Sequence, residues 1–160
     1  MKLSPNFSLR ELTKSQTAER KGIDNTPTDE HIENLKLLCE NILQPIRDEW
    51  GVVSVSSGYR SPSLCQAIGS SEKSQHARGQ AADFEVHGVP NIKVAYWIAN
   101  NCDFDQLILE YFKKDDPSAG WIHCSYSEKG SNRKQILTYD GKSYENGLAD
   151  MKWKDGKVIE

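Results

Sequence analysis

Between Ile32 and Ile46 apolar residues recur at every third or fourth position: Ile32, Leu35, Leu38, Ile42 and Ile46 form one stripe. That spacing predicts a long amphipathic helix with its stripe against a core. Its start is marked by Thr26-Pro27-Thr28-Asp29, with proline at the first helical position, and its end by Gly51. Pro45 lies within the stripe, removes a backbone donor and is expected to kink the helix. Cys39, on the border of the stripe, is expected to pack. A shorter helix comes first. Ser8 and Glu11 have the spacing of a capping box, and Phe7 and Leu12 that of a hydrophobic staple. The helix they introduce runs from Leu12 to about Arg20 and ends near Gly22.

From Val52 the period changes from helical to alternating. Residues 52–57, 81–86, 105–112 and 120–126 read as strands. Residues 61–75 form a long polar loop with a helical turn around Leu64 to Ile68. Pro90 opens a helix to about Asn101 that turns Ile92, Ala95, Ile98 and Ala99 inward. Residues 113–119 make a charged loop. Segments 135–139 and 151–159, with turns at Asp140-Gly141 and Asp155-Gly156, predict terminal hairpins. The whole pattern is α+β.

Composition narrows the class. At 160 residues the chain reads as one domain, able to bury about 70% of its unfolded surface around a single core. A net charge of −3 supplies no basic field, so nucleic acid is not expected as a partner. The sequence opens without an apolar leader, and no run approaches membrane-spanning length. Synthesis in the cytoplasm, without a signal peptide and without a membrane partner, is the expectation. Cys39, Cys65, Cys102 and Cys124 contain no C-x-x-C pair, which argues against a cysteine metal site. They could form two bridges; free thiols are expected in a chain without a leader.

Candidate chemistry centres on His76, Asp83 and His123. Two imidazoles and a carboxylate are the ligand count of a catalytic zinc site that keeps a fourth position open. A strand over 81–86 puts Asp83 on one face with Ala81 and Glu85, and His76 on the loop before it. Gly79 lets that loop fold back. In Trp121-Ile122-His123-Cys124-Ser125-Tyr126, alternation puts Trp121, His123 and Ser125 on one face, where His123 opposite Asp83 would complete the set. By residue type and spacing alone, the three also fit surface or core positions without a metal.

Three motifs in order carry a resemblance that bears on this choice. They are Ser56-Ser57-Gly58-Tyr59-Arg60-Ser61-Pro62, then Ser74-Gln75-His76-Ala77-Arg78-Gly79-Gln80-Ala81-Ala82-Asp83, then Trp121-Ile122-His123-Cys124-Ser125. Together they resemble the zinc D-alanyl-D-alanine carboxypeptidase family, which includes many phage endolysins and shares its metal site with hedgehog domains. The resemblance runs from Asn6-Phe7 to about Tyr126. It implies one Zn²⁺ per chain, held by His76, Asp83 and His123. It gives Arg60 the task of positioning substrate or steadying an oxyanion, which a forked, permanently charged guanidinium suits. Ser74 and Gln75 would hydrogen-bond the substrate backbone or support the ligands, and Trp121 would contact substrate.

The proton acceptor is less regular. Some relatives carry it three residues before the last histidine, where this chain has Gly120; others carry a histidine two before, where it has Trp121. Glu110 ends the strand over 105–112 with Gln106 and Ile108 on its face. Hedgehog domains hold a comparable glutamate upstream of the last histidine motif, so the resemblance gives the base role to Glu110. Cys65 replaces an asparagine common after the leucine, and Ile68-Gly69-Ser70 replaces a common V-G-G. His31 and His87 have no motif around them and are expected in solvent.

Other hydrolase classes lack their signatures. No G-x-S-x-G elbow and no H-E-x-x-H helix occur, and Cys124 points away from its neighbour His123 on a strand. The expectation is a single domain over 1–160, with a helical lead-in over 1–50, a metal-site core over 52–126 and C-terminal hairpins over 127–160. Its fold is α+β, N-terminal helices packed on a small, mainly antiparallel sheet, as in hedgehog and DD-peptidase domains. Its function is zinc-dependent hydrolysis of D-alanine-containing peptidoglycan peptides by a monomeric, phage-type endolysin that reaches the wall after holin-type release. The alternative is a non-catalytic, hedgehog-like zinc domain that binds a cell-wall peptide or a protein partner.

Overall fold

The apolar stripe becomes the floor of the core: Leu35, Leu38, Ile42 and Ile46 are fully buried and Ile32 partly so. Each such side chain contributes about 1.5–3 kcal/mol by leaving water. The computed structural model describes residues 1–149 and the backbone of 152–154 and 157–159. In it the stripe spans α3 (Asp29–Leu38), a π-helical turn over Cys39–Leu43 and α4 (Gln44–Trp50). The disturbance predicted at Pro45 takes the form of this wide turn, closed by the Gln44 amide donating to the Cys39 carbonyl. Gly51 ends α4 as expected. Pro27 is not the first helical residue. Thr28 is the cap, its hydroxyl accepting from the His31 amide while His31 Nδ1 accepts from the Thr28 amide.

Two earlier elements also differ from expectation. The helix foreseen from Leu12 to Arg20 is two helices, α1 (Leu9–Thr13) and α2 (Gln16–Lys21). The break comes at Lys14 and Ser15 because the Ser15 hydroxyl accepts from the Ala18 amide and caps a new start. The Ser8–Glu11 capping box is present, and Gly22, at φ 65°, ends α2. Ahead of α1 lies an unforeseen antiparallel pair, β1 (Lys2–Ser4) and β2 (Phe7–Ser8).

The main sheet holds β3 (Val53–Ser57), β4 (Ala81–Val86), β5 (Gln106–Glu110), β6 (Trp121–Ser125), β7 (Gln135–Tyr139) and β8 (Tyr144–Asn146), in the order β3-β4-β6-β5-β7-β8. All neighbours are antiparallel except β5 and β7. The hairpin at 135–146 is therefore not a terminal appendage. It turns at Asp140-Gly141 as predicted, but extends the sheet by two strands. A separate pair, β9 (Lys152–Lys154) and β10 (Lys157–Ile159), follows; Met151 and the turn at Asp155-Gly156 lie outside the described residues.

Between β3 and β4 the polar loop contains α5 (Pro62–Ala67) and a single 3₁₀ turn over Gln75–Arg78. Helix α6 (Asn91–Asn101) buries Val94, Ala95 and Ile98, with Ile92 and Ala99 only partly covered. One sheet face, carrying Ala82, Phe84, Val86, Leu107, Leu109, Ile122 and Cys124, shares a core with α3, α4 and α6. The opposite face carries Asp83 and His123, so the helices brace the sheet and leave that face for chemistry. No helix among the described residues is long and apolar enough to cross a membrane.

Candidate metal centre

Strand register sets the first half of the centre. Asp83 on β4 and His123 on β6 are direct cross-strand partners, and Asp83 Oδ1 lies 2.9 Å from His123 Nδ1. His76 comes from the 3₁₀ turn, folded back by Gly79 at φ 73°, where a Cβ would lie 2.6 Å from the His31 carbonyl. Its Nε2 reaches to 3.4 Å of the same Asp83 oxygen. One donor atom from each of the three residues falls within 4.8 Å of the others. The cysteines lie elsewhere: all four are free and buried, and burial pushes the thiols of Cys39 and Cys102 up to about 12 and about 11.

The surroundings fix which atoms face inward. His76 Nδ1 is 2.7 Å from the Gly58 carbonyl, which can only accept, so Nδ1 carries the proton and Nε2 presents its lone pair. Burial lowers the pKa of His76 and keeps it neutral, although hydrogen bonding and charge from Asp83 oppose this. A lone pair therefore confronts a carboxylate oxygen inside the protein, an arrangement that a cation between them relieves. Burial would raise the Asp83 pKa, but the hydrogen bond from His123 leads the effects that outweigh it and hold the carboxyl well below the usual range. The donor set, the fixed tautomer and separations close to the about 3.3 Å edge of a tetrahedral zinc shell fit that metal.

Arg60 holds the other side of Asp83. Its Nη2 donates to Oδ2 at 3.2 Å and its Nε to the Ser57 hydroxyl at 2.9 Å. Oδ1 is left for the histidines. The backbone of Gly58-Tyr59-Arg60 acts as a hub: the Tyr59 amide donates to Leu12, the Gly58 carbonyl receives His76, and the Arg60 amide donates to the His76 carbonyl. A Cβ on Gly58 would lie 2.3 Å from the Leu12 carbonyl oxygen, so only glycine lets β3 pass α1 this closely.

The remaining expected site residues fall around this centre in different ways. Glu110 pairs with Trp121 across β5 and β6, two positions along from His123 on the same face. Burial raises its pKa, with the charges of His123 and Asp83 acting in opposite senses. Ser74 is committed to the metal loop, its hydroxyl accepting from the His76 amide. Gln75 turns the other way and donates to Asp105 Oδ2. Asp105 is buried and bound by the Arg133 guanidinium, so Gln75, Asp105 and Arg133 together brace the His76 turn. Sequence reasoning gave no role to Ser57, although it lies in the first motif, and missed Asp105 and Arg133, which belong to none. His31 is not freely solvated but lies 4.9 Å from the Tyr59 ring, while His87 is exposed.

The sequence profile of the peptidase M15 family matches residues 5–125. The chain belongs to that family. M15 enzymes are zinc-dependent D-alanyl-D-alanine carboxypeptidases and their relatives, and membership supports a zinc metallopeptidase here. No curated protein matches the chain. The M15 match covers β2 through β6, every donor of the His76–Asp83–His123 cluster and Glu110, and stops before β7. One departure gains a physical reason. Gly120 has φ 72°, and a Cβ there would fall 1.8 Å from the Glu110 carbonyl oxygen, so this M15 chain cannot carry a base at that position without reshaping the β5–β6 connection.

Proposed function

We propose that this protein is a zinc-dependent peptidase that cuts the stem or cross-bridging peptides of peptidoglycan at a D-alanine bond, as a phage-type endolysin of hedgehog and DD-peptidase fold. The convergence of His76 Nε2, Asp83 Oδ1 and His123 Nδ1 on one open sheet face, with Glu110 two positions away, carries the reading. His76 Nε2, Asp83 Oδ1 and His123 Nδ1 would hold zinc, which when bound would lower the pKa of a water and polarise the substrate carbonyl. Glu110, kept partly from solvent, accepts the proton and returns it to the leaving amine. Arg60 keeps Asp83 oriented through Oδ2, and its guanidinium has more N–H groups than its two internal bonds use, leaving donors for a substrate oxygen. The enzyme acts as a monomer on the cell wall after holin-type release from the cytoplasm.

The closed position at Gly120 favours a second reading, a non-catalytic zinc domain that binds a wall peptide or a protein partner. Mass spectrometry of purified peptidoglycan treated with the zinc-loaded protein separates the two. New termini at D-alanine support the peptidase. Zinc-dependent binding without new termini, on walls of several chemotypes, replaces it with the second reading.

A further inference from the structure

Strands β7 and β8 lie beyond the residues matched to the M15 family, yet they deliver two tyrosines to the face that carries the metal centre. His123 pairs with Ile108, and Ile108 with Leu137; two residues along β7 from Leu137, on the same face, stands Tyr139. Tyr139 pairs with Tyr144 on β8, and their rings stack at 4.3 Å. On the other side of Glu110 stands Trp121, its cross-strand partner. The Tyr111 ring closes the gap, 5.0 Å from Trp121 and 5.1 Å from Tyr139. It gets there through a left-handed backbone, φ 52°, which a tyrosine holds only where its surroundings enforce it.

The result is an unbroken aromatic row across four strands, about 7 Å along the strands from the row of Asp83 and His123. Core packing does not explain it, because Tyr111 and Tyr144 are 45% and 56% exposed. Nor does the row suit nucleic acid, which needs a basic groove. Glu110 and Asp140 lie along it with Lys142, so the neighbourhood is not positive. Exposed ring faces with a negative quadrupole, rimmed by phenol hydroxyls, match a neutral ligand that offers polarised C–H groups on one face and hydroxyls at its edge. A pyranose ring is such a ligand.

We propose that Trp121, Tyr111, Tyr139 and Tyr144 form a carbohydrate platform that binds the β-1,4-linked N-acetylhexosamine strand of the substrate beside the metal centre. This rests on the peptidoglycan reading above and adds the sugar to its substrate. The row spans about 14 Å at ordinary strand spacing, close to the reach of a four-residue extended peptide. A glycan on the outer tyrosines can thus leave its attached stem peptide at the zinc ligands.

Two measurements test the platform. Calorimetric titration with a β-1,4-linked N-acetylglucosamine tetramer needs no turnover, and the wild-type protein should bind it. Hydrolysis of a stem peptide joined to its disaccharide is then compared with that of the same peptide without sugar. The wild type should prefer the sugar-bearing substrate by about tenfold in kcat/KM, chiefly through KM. The Tyr139→Ala, Tyr144→Ala double variant should lose tetramer binding and that preference, whereas Tyr144→Trp, which restores a ring face, should keep both. Equal kcat/KM for the two substrates in the wild type, or no tetramer binding, overturns the platform. Binding of single-stranded DNA with no response to the tetramer overturns it too. Tetramer binding with neither substrate cleaved upholds the platform and removes the peptidase reading instead.

Discussion

Three donor atoms and one carbonyl decide the chemistry at the scale of single residues. Because the Gly58 carbonyl holds His76 Nδ1, the protein presents Nε2 before any metal arrives. The purified protein should carry about one zinc per chain. His76→Ala and His123→Ala should each abolish stoichiometric zinc by elemental analysis, and zinc retained in the double variant would sink the assignment. Arg60 acts on the metal through Asp83 Oδ2, so Arg60→Ala should weaken zinc binding by about 10–100-fold in a competitive chelator titration. Unchanged affinity would mean that Oδ2 needs no partner. Glu110→Gln should keep zinc and fold while lowering kcat by about 10²–10⁴-fold. A base works only when deprotonated, and burial raises the pKa of Glu110 above its ordinary 4.5. The acid limb of the rate profile should therefore lie above that value and disappear in Glu110→Gln. A limb that persists unchanged would assign the proton to another group.

Secondary structure connects those residues through contacts that sequence patterns reveal unevenly. Gly58 is the sharpest test, since its Cβ position is occupied by the Leu12 carbonyl. Gly58→Ala should part α1 from the end of β3 and displace the carbonyl that holds His76. Denaturant unfolding should show a loss of more than about 1 kcal/mol, and zinc affinity should fall with it; a stability loss with full zinc affinity would uncouple the two. The alternating runs of β4, β5 and β6 were legible because one face of each is fully apolar, and that alternation placed Asp83 and His123 together. The stripe of α3 and α4 was legible for the same reason. Less visible were features decided by contacts distant in sequence. Ser15 starts a new helix inside an apparently continuous one, and β7 runs parallel to a strand some thirty positions earlier, which no local turn signal encodes. Asp105 and Arg133 stand in no motif, and only the fold brings the Arg133 guanidinium onto the buried Asp105.

Across the whole molecule, the metal centre joins β4, β6 and the His76 turn, so its protonation bears on global stability. His76 is buried and its pKa lies below the ordinary 6.5, so the unfolded chain takes up a proton that the folded one refuses. The resulting stability is present above pH 6.5 and is lost as pH falls below it. Asp83 is also depressed, from an ordinary 3.8; its contribution is present above that value and is lost at still lower pH. The metal-free protein should thus weaken in two stages as the medium is acidified, and His76→Ala should remove the upper stage. Zinc adds a term of its own, about 4 kcal/mol when free metal exceeds Kd a thousandfold. Protons compete for the same imidazoles, so that term must shrink as pH falls. Thermal unfolding with and without chelator, followed from pH 8 to pH 4, should show a wide gap in Tm at the alkaline end and convergence at the acid end. A gap that stays constant with pH would mean that the stabilising metal is not held by histidines, and no gap at any pH would mean that His76, Asp83 and His123 bind none.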